Sequence, residues 1–147
     1  MKAVLEIIAL AERSGQKLET GFALKVENHG YMPLSIEHIG NVGPYGRATI
    51  SVAHYYEQNG DLMRDPEMLF ELIEQGGKRS LFPFGFRQDS TAFERESTWV
   101  EGGQVFVNER ARKEDASFSR LWNRNLVAQG FVSAYRKQLS KNSGAQI

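Results

Sequence analysis

The spacing of apolar residues divides the chain into a helix, a run of strands and a final helix. Residues 2–13 place apolar side chains near one helical face, and Ser14-Gly15 supplies a stop signal. The segments that follow show period-two alternation or are rich in β-branched and aromatic residues, which is typical of strands. They are residues 22–27, 34–39, 48–56 and 81–86, and a short hairpin of residues 98–100 and 104–108.

Residues 66–75 fit either a helix or a strand. Asp65 before Pro66 resembles an N-cap followed by proline at the first helical position, and Gly76-Gly77 would end such a helix. Three apolar residues also alternate with their neighbours as in a strand: Met68, Phe70 and Leu72. Because the neighbouring segments are strands and hairpin-length connections fit, the strand is favoured.

The segment at residues 81–86 contains three alternating phenylalanines. Phe82, Phe84 and Phe86 share one face of a regular strand, and we expect that face to be buried in the core. Pro83 and Gly85 indicate an edge strand or a bulge at the same place.

One apolar stripe predicts a long C-terminal helix. Its members lie three, four or six positions apart: Phe118, Leu121, Trp122, Leu126, Val132, Tyr135 and Leu139. Asp115 or Ser117 is suited to cap its start, and Gly130 should weaken or bend it.

The order of elements predicts an α+β fold. We expect an antiparallel sheet of about five to six strands, with the N-terminal helix and the long C-terminal helix packed on it. Residues 1–139 are predicted to form a single domain, followed by a flexible tail at 140–147.

Composition excludes several classes of protein. The 147 residues include no cysteine, which excludes disulfide scaffolds, thiolate zinc sites and a cysteine nucleophile. No apolar run reaches the roughly 18 residues that a membrane span needs, so we expect a cytoplasmic protein without a membrane partner. The sequence also lacks the Gly-x-Ser-x-Gly and phosphate-loop motifs of hydrolases and nucleotide-binding enzymes.

Charge is distributed unevenly although the net charge is zero. Residues 1–107 hold ten basic and fifteen acidic residues, whereas residues 108–147 hold eight basic and three acidic ones. The candidate binding residues are therefore the basic side chains of this C-terminal part: Arg112, Lys113, Arg120, Arg124, Arg136 and Lys137. They would face an acidic protein or phosphate groups, unless they form an ordinary solvated helix face.

Three segments of the chain carry distinctive motifs: HYYEQNGDLMRDPEM at 54–68, PFGFRQDS at 83–90 and FSRLWNRNLVAQGF at 118–131. Together they resemble an uncharacterised family of small bacterial proteins carried on plasmids, integrating elements and phages. The resemblance implies a bacterial or phage setting, and it transfers no catalytic residue.

The segment from residue 54 to 67 concentrates polar side chains that suit a divalent metal ion. His54, Asp61, Asp65 and Glu67 lie within it, and Asp89 would join them if the strands pair. Oxygen-rich sets of this kind prefer Mg²⁺ or Mn²⁺, and Asp61, Asp65 and Glu67 are the candidate ligands. Turn formation and capping explain the same residues without a metal.

Two functions are consistent with these observations. The favoured one is a non-enzymatic binding protein without a cofactor, acting on a host or element protein, for example as an inhibitor of host defence. Nucleic acid is a second partner class through the basic helix, and a homodimer would follow from an exposed aromatic sheet face. The alternative is a metal-assisted hydrolase or nuclease that uses the 54–67 segment.

Overall fold

The computed structural model describes residues 1–144, which form three α-helices and two antiparallel sheets. The helices are α1 (Lys2–Arg13), α2 (Glu109–Ala128) and α3 (Phe131–Gly144). The strands are β1 (Ala23–Val26), β2 (Leu34–Gly40), β3 (Thr49–Gln58), β4 (Asp61–Gln75), β5 (Lys78–Gln88), β6 (Phe93–Glu96), β7 (Thr98–Glu101) and β8 (Gln104–Val107).

Strands β1 to β6 form one sheet in chain order, each antiparallel to the next. Strands β7 and β8 form a separate hairpin. Sequential antiparallel strands need only short turns, so the sheet requires no crossover connection. The predicted α+β fold is confirmed, and β6 is a strand that the apolar pattern does not indicate.

Residues 66–75 belong to a strand, as predicted. Strand β4 pairs with β3 on one side and with β5 on the other, so its apolar residues enter a packed sheet. The register with β3 shifts between Ala53 and Tyr55, and Pro66 has no pairing partner there. Because Pro66 lies in this bulge, its missing N–H removes no hydrogen bond from the ladder.

One face of the six-stranded sheet, the inner face, packs against the helices and forms the core. Its buried strand residues include Leu34, Ile36, Ile50, Val52, Met68 and Phe70. The helices contribute Val4, Ile7, Ile8, Trp122, Leu126, Phe131 and Tyr135. Burying one such side chain contributes about 1.5–3 kcal/mol, so this layer is the main source of stability.

The prediction that three phenylalanines of β5 share a buried face is wrong. Strand β5 has a bulge at Phe84, opposite the step between Leu69 and Phe70 of β4. One inserted residue reverses the alternation of side chains along a strand. Phe82 therefore lies on the opposite, outer face and is 48% exposed, whereas Phe86 points towards the helices.

The single long C-terminal helix predicted from the sequence is two helices. Gly130 has a φ angle of +80°, in the left-handed region that favours glycine. The chain therefore leaves the helical conformation after Ala128 and resumes it at Phe131. Both helices contact α1, while α2 also contacts β5 and α3 contacts β1.

The start of α2 also differs from the prediction. Asn108 is the N-cap, and its side-chain oxygen accepts a hydrogen bond from the backbone N–H of Ala111 at 3.1 Å. Asp115 lies two turns inside the helix and is buried. At the other end, α3 continues to Gly144, so residues 140–144 are helical, and residues 145–147 lie outside the described part. None of the described helices is long and apolar enough to cross a membrane.

Candidate functional site

The uneven distribution of charge along the sequence corresponds to a basic helical layer and an acidic sheet layer. Helices α1, α2 and α3 together hold ten basic and five acidic residues. Residues 23–107, which form the sheets, hold seven basic and twelve acidic residues. The helical layer therefore carries a net positive charge and the sheet layer a net negative one.

The six candidate basic residues lie on α2 and α3 but do not form one cluster. Three of them line a cavity beside β5: Arg112, Lys113 and Arg120. Arg136 instead donates to Glu6 of α1 at 2.8 Å, and Lys137 lines a different cavity near the turn between β1 and β2. Arg124 is exposed on α2, one turn after Arg120.

Helix α2 exposes a mixed basic and apolar surface, the α2 stripe, formed by Arg120, Leu121, Arg124 and Val127. Spacings of three and four residues place them on one side of the helix. Leu121 is 45% exposed and Val127 is 59% exposed. Eight of the eleven arginines form ion pairs within 4.0 Å, but Arg120 and Arg124 pair with no acidic residue in the described chain.

A second candidate surface is the groove beside β5. Phe82 separates a cavity of about 370 Å³, next to α2, from a cavity of about 170 Å³, next to the loop that precedes β3. Arg112 and Pro83 also line both cavities. The groove therefore combines an exposed aromatic ring with positive charge.

His54 packs between the sheet and the helices. The Nδ1 atom of His54 lies 3.1 Å from the carbonyl oxygen of Pro33, and its Nε2 accepts a hydrogen bond from Trp122 Nε1 at 3.3 Å. The ring also packs against Phe131, with centroids 5.5 Å apart. Burial lowers the pKa of His54, although the hydrogen bond to Pro33 opposes this effect.

Three of the predicted carboxylates have separate environments. Asp61 is exposed at the turn between β3 and β4. Asp65 accepts a hydrogen bond from Gln88 Nε2 at 2.8 Å. Glu67 is buried on the outer face and accepts a hydrogen bond from Ser51 Oγ at 2.7 Å. Oε1 of Glu67 lies 3.7 Å from Arg64 Nη1 and 3.5 Å from Arg87 Nη1, and accepts no hydrogen bond from the described residues.

Asp89 contacts the 54–67 segment through Arg64 of β4, because the pairing of β4 with β5 brings Arg64 beside Asp89. The backbone N, Nε and Nη2 atoms of Arg64 donate to the Asp89 carboxylate at 2.7, 3.0 and 3.1 Å. These hydrogen bonds hold the pKa of Asp89 below its usual range. In the described residues no three His, Asp or Glu side chains form a group that could hold a metal ion. The divalent-metal hypothesis stays a prediction.

Two buried acidic residues were not among the candidate site residues predicted from the sequence. Glu71 is 3% exposed and accepts hydrogen bonds from the backbone N–H groups of Tyr45 and Arg47 at 3.2 and 3.1 Å. Asp115 is fully buried and accepts from Arg95 Nη2 at 2.6 Å. The one sequence signal for the burial of Asp115 is its position one helical turn before Phe118 and two before Trp122, in line with the apolar stripe.

Comparisons with known proteins identify a family for the chain. Neither the curated proteins nor the solved structures gave a match. A family profile described as a domain of unknown function, DUF6908, matches residues 2–132. The matched region contains α1, every described strand, α2 and the start of α3. The chain therefore belongs to the DUF6908 family of uncharacterised domains.

Proposed function

We propose that the protein is a non-enzymatic binding protein that uses the α2 stripe to bind an acidic surface of another protein. The observation that carries this proposal is that Arg120 and Arg124 have no acidic partner among residues 1–144 and lie beside exposed Leu121 and Val127. Arginine is enriched at the centres of protein interfaces, where apolar neighbours exclude water around it. The stripe thus offers both charge and apolar area to one partner.

A protein partner fits the stripe better than nucleic acid does. Two of its four residues are apolar, and burying them is most favourable against another apolar surface. Affinity for nucleic acid comes mainly from many cation–phosphate contacts. The acidic sheet layer and the zero net charge of the chain both weaken attraction to a polyanion.

The biological setting forms part of the proposal. The three motifs that resemble plasmid, integrating-element and phage proteins favour a bacterial host or element protein as the partner. Inhibition of a host-defence complex is one concrete version, since a small domain can block a larger assembly by occupying one surface. A homodimer stays a prediction.

Charge reversal on the stripe tests the proposal. The double variant Arg120→Glu, Arg124→Glu should lose a specific acidic partner in a pull-down from bacterial lysate treated with nuclease. Both side chains are exposed, so the variant should keep the wild-type circular dichroism spectrum and melting temperature. Mass spectrometry identifies the partner, and isothermal titration with the purified partner measures the loss.

The matched control is Lys17→Glu, Lys78→Glu, which changes the net charge by the same amount at exposed residues outside the stripe. This control should retain the partner. Equal binding by both double variants would show that the stripe is not the interface. Recovery of nucleic acid alone, abolished by nuclease, would also reject an acidic protein partner.

A further inference from the structure

We propose that the groove beside β5 binds a mononucleotide, with its phosphates on α2 and its base against Phe82 and Tyr45. Two adjoining cavities, of about 370 and 170 Å³, form the groove. Because Phe82, Pro83 and Arg112 line both cavities, a ligand that lies across Phe82 contacts both. Their combined size falls within the range of small-molecule sites, about 300–1,000 Å³. The groove shares Arg120 with the α2 stripe, but the inference does not require a protein partner on that stripe.

The groove exists because part of β5 has no second neighbour in the sheet. Strand β6 pairs with β5 only at residues 85–88, and Ser97 donates a backbone hydrogen bond to Phe84. Within the sheet, residues 78–83 therefore pair with β4 alone. The bulge at Phe84 turns Phe82 to the outer face, beside this free edge. Phe82 is 48% exposed next to a cavity, so a flat apolar group that covers its ring would bind favourably.

The larger cavity is suited to phosphate groups. Helix α2 contributes three cations to it, and no carboxylate is among its described lining residues. Arg112 donates one hydrogen bond to Glu109 at 2.8 Å, whereas Lys113 and Arg120 form no ion pair with residues 1–144. Guanidinium and ammonium groups donate strong, charge-assisted hydrogen bonds to phosphate oxygens. The cavity therefore favours an anion with several acceptor oxygens.

The smaller cavity is suited to an aromatic base. Phe82 and Tyr45 line it, Tyr45 is 55% exposed, and the guanidinium of Arg47 stacks 5.3 Å from the centre of the Tyr45 ring. The buried Glu71 carboxylate also lines this cavity. Its Oε1 lies 3.9 Å from Nη1 of Arg47 and accepts no hydrogen bond from the described residues. A base that carries an N–H donor, such as adenine or guanine, fits this acceptor.

Isothermal titration of the full chain with ADP and GDP tests the proposal. At least one of them should bind with a dissociation constant below about 1 mM. Adenosine and inorganic pyrophosphate, each of which fills half of the groove, should bind at least about tenfold more weakly than ADP. Phe82→Ala should weaken nucleotide binding by about tenfold or more, since stacking on an aromatic ring is lost. Lys113→Gln, which changes the larger cavity alone, should weaken ADP binding but leave adenosine binding unchanged.

The matched control is Phe106→Ala, which removes a 40% exposed phenylalanine from the β7–β8 hairpin, outside the groove. This variant should bind nucleotide like the wild type, as should Arg124→Glu, which alters the α2 stripe alone. Absence of binding by both ADP and GDP overturns the proposal. Equal weakening by Phe82→Ala and Phe106→Ala overturns it too, as does binding of a DNA oligonucleotide without any mononucleotide.

Discussion

Trp122 of α2 donates a hydrogen bond from its indole Nε1 to Nε2 of His54 in β3, at 3.3 Å and across 68 positions of sequence. Because the carbonyl oxygen of Pro33 lies 3.1 Å from Nδ1, that nitrogen carries the proton of a neutral imidazole. Protonation of His54 at Nε2 would place its N–H against the indole N–H of Trp122, and two donors cannot form a hydrogen bond. The contact therefore joins the sheet to the helical layer only while His54 is neutral.

The free energy of unfolding should decrease as the pH falls from about 7.5 to about 5. Burial lowers the pKa of His54 in the folded state below its unfolded value of about 6.5. Below about pH 6.5 the unfolded chain binds more protons than the folded chain, so acid favours unfolding. The stabilisation from neutral His54 is complete above about pH 6.5 and decreases as the pH falls from there until the folded-state pKa of His54 is passed. Urea denaturation at a series of pH values measures the free energy of unfolding.

Two histidine variants distinguish the contribution of His54 to this pH dependence from that of other titrating groups. His54→Asn removes the buried titrating group and should flatten the pH dependence between about pH 5 and 7.5. His29→Asn, at an exposed turn, should keep the wild-type dependence. The same slope in His54→Asn and the wild type would contradict a role for this imidazole.

Adjacent carboxylates on α2 should contribute very differently to stability. Arg95 donates to Glu114 at 2.7 Å and to Asp115 at 2.6 Å, but the side chain of Glu114 is 50% exposed and that of Asp115 is 0% exposed. Asp115→Ala leaves a half-buried guanidinium without its buried partner, and should cost about 3 kcal/mol. Glu114→Ala should cost far less, because solvent screens the exposed Glu114 carboxylate. Chemical denaturation of both variants measures the difference, and equal losses would refute it.

Gly130→Ala should destabilise the protein by about 1 kcal/mol, because alanine is strained at the φ angle of +80° that separates α2 from α3. A continuous helix gives the opposite expectation, since alanine stabilises a helix interior by about 1 kcal/mol relative to glycine. Ser133→Ala, at an exposed position of α3, is the control and should be neutral or slightly stabilising. The melting temperatures of the two variants distinguish a break from a bend.

Gly43→Ala should loosen the loop that covers Glu71. A Cβ atom at residue 43 would lie 2.4 Å from the Glu71 carboxylate, which anchors the backbone of Tyr45 and Arg47. Overpacking of this kind costs about 1–3 kcal/mol. Val42→Ala, at a 63% exposed neighbour, should change stability by less than about 0.5 kcal/mol. Hydrogen exchange of the Tyr45 and Arg47 amides reports the loss, and unchanged protection in Gly43→Ala would contradict it.

Local patterns in the sequence were sufficient to predict most of the elements. The end of α1, the alternation within residues 66–75 and the order of the antiparallel strands each depend on a few consecutive residues. The concentration of basic residues after position 108 likewise predicts a basic helical surface, which the structure assigns to α2 and α3. Periodicity and composition carry this information because each strand or helix presents one face to the core.

The sequence by itself thus determined an α+β chain with a basic C-terminal region. The tertiary structure decided which side chains meet: Arg64 with Asp89, Trp122 with His54, and Glu71 with the loop above it. It also decided that Phe82 faces solvent, because one inserted residue in β5 reverses the alternation. Contacts between residues far apart, and the register between strands, depend on the packing of the whole chain, and no local spacing encodes them.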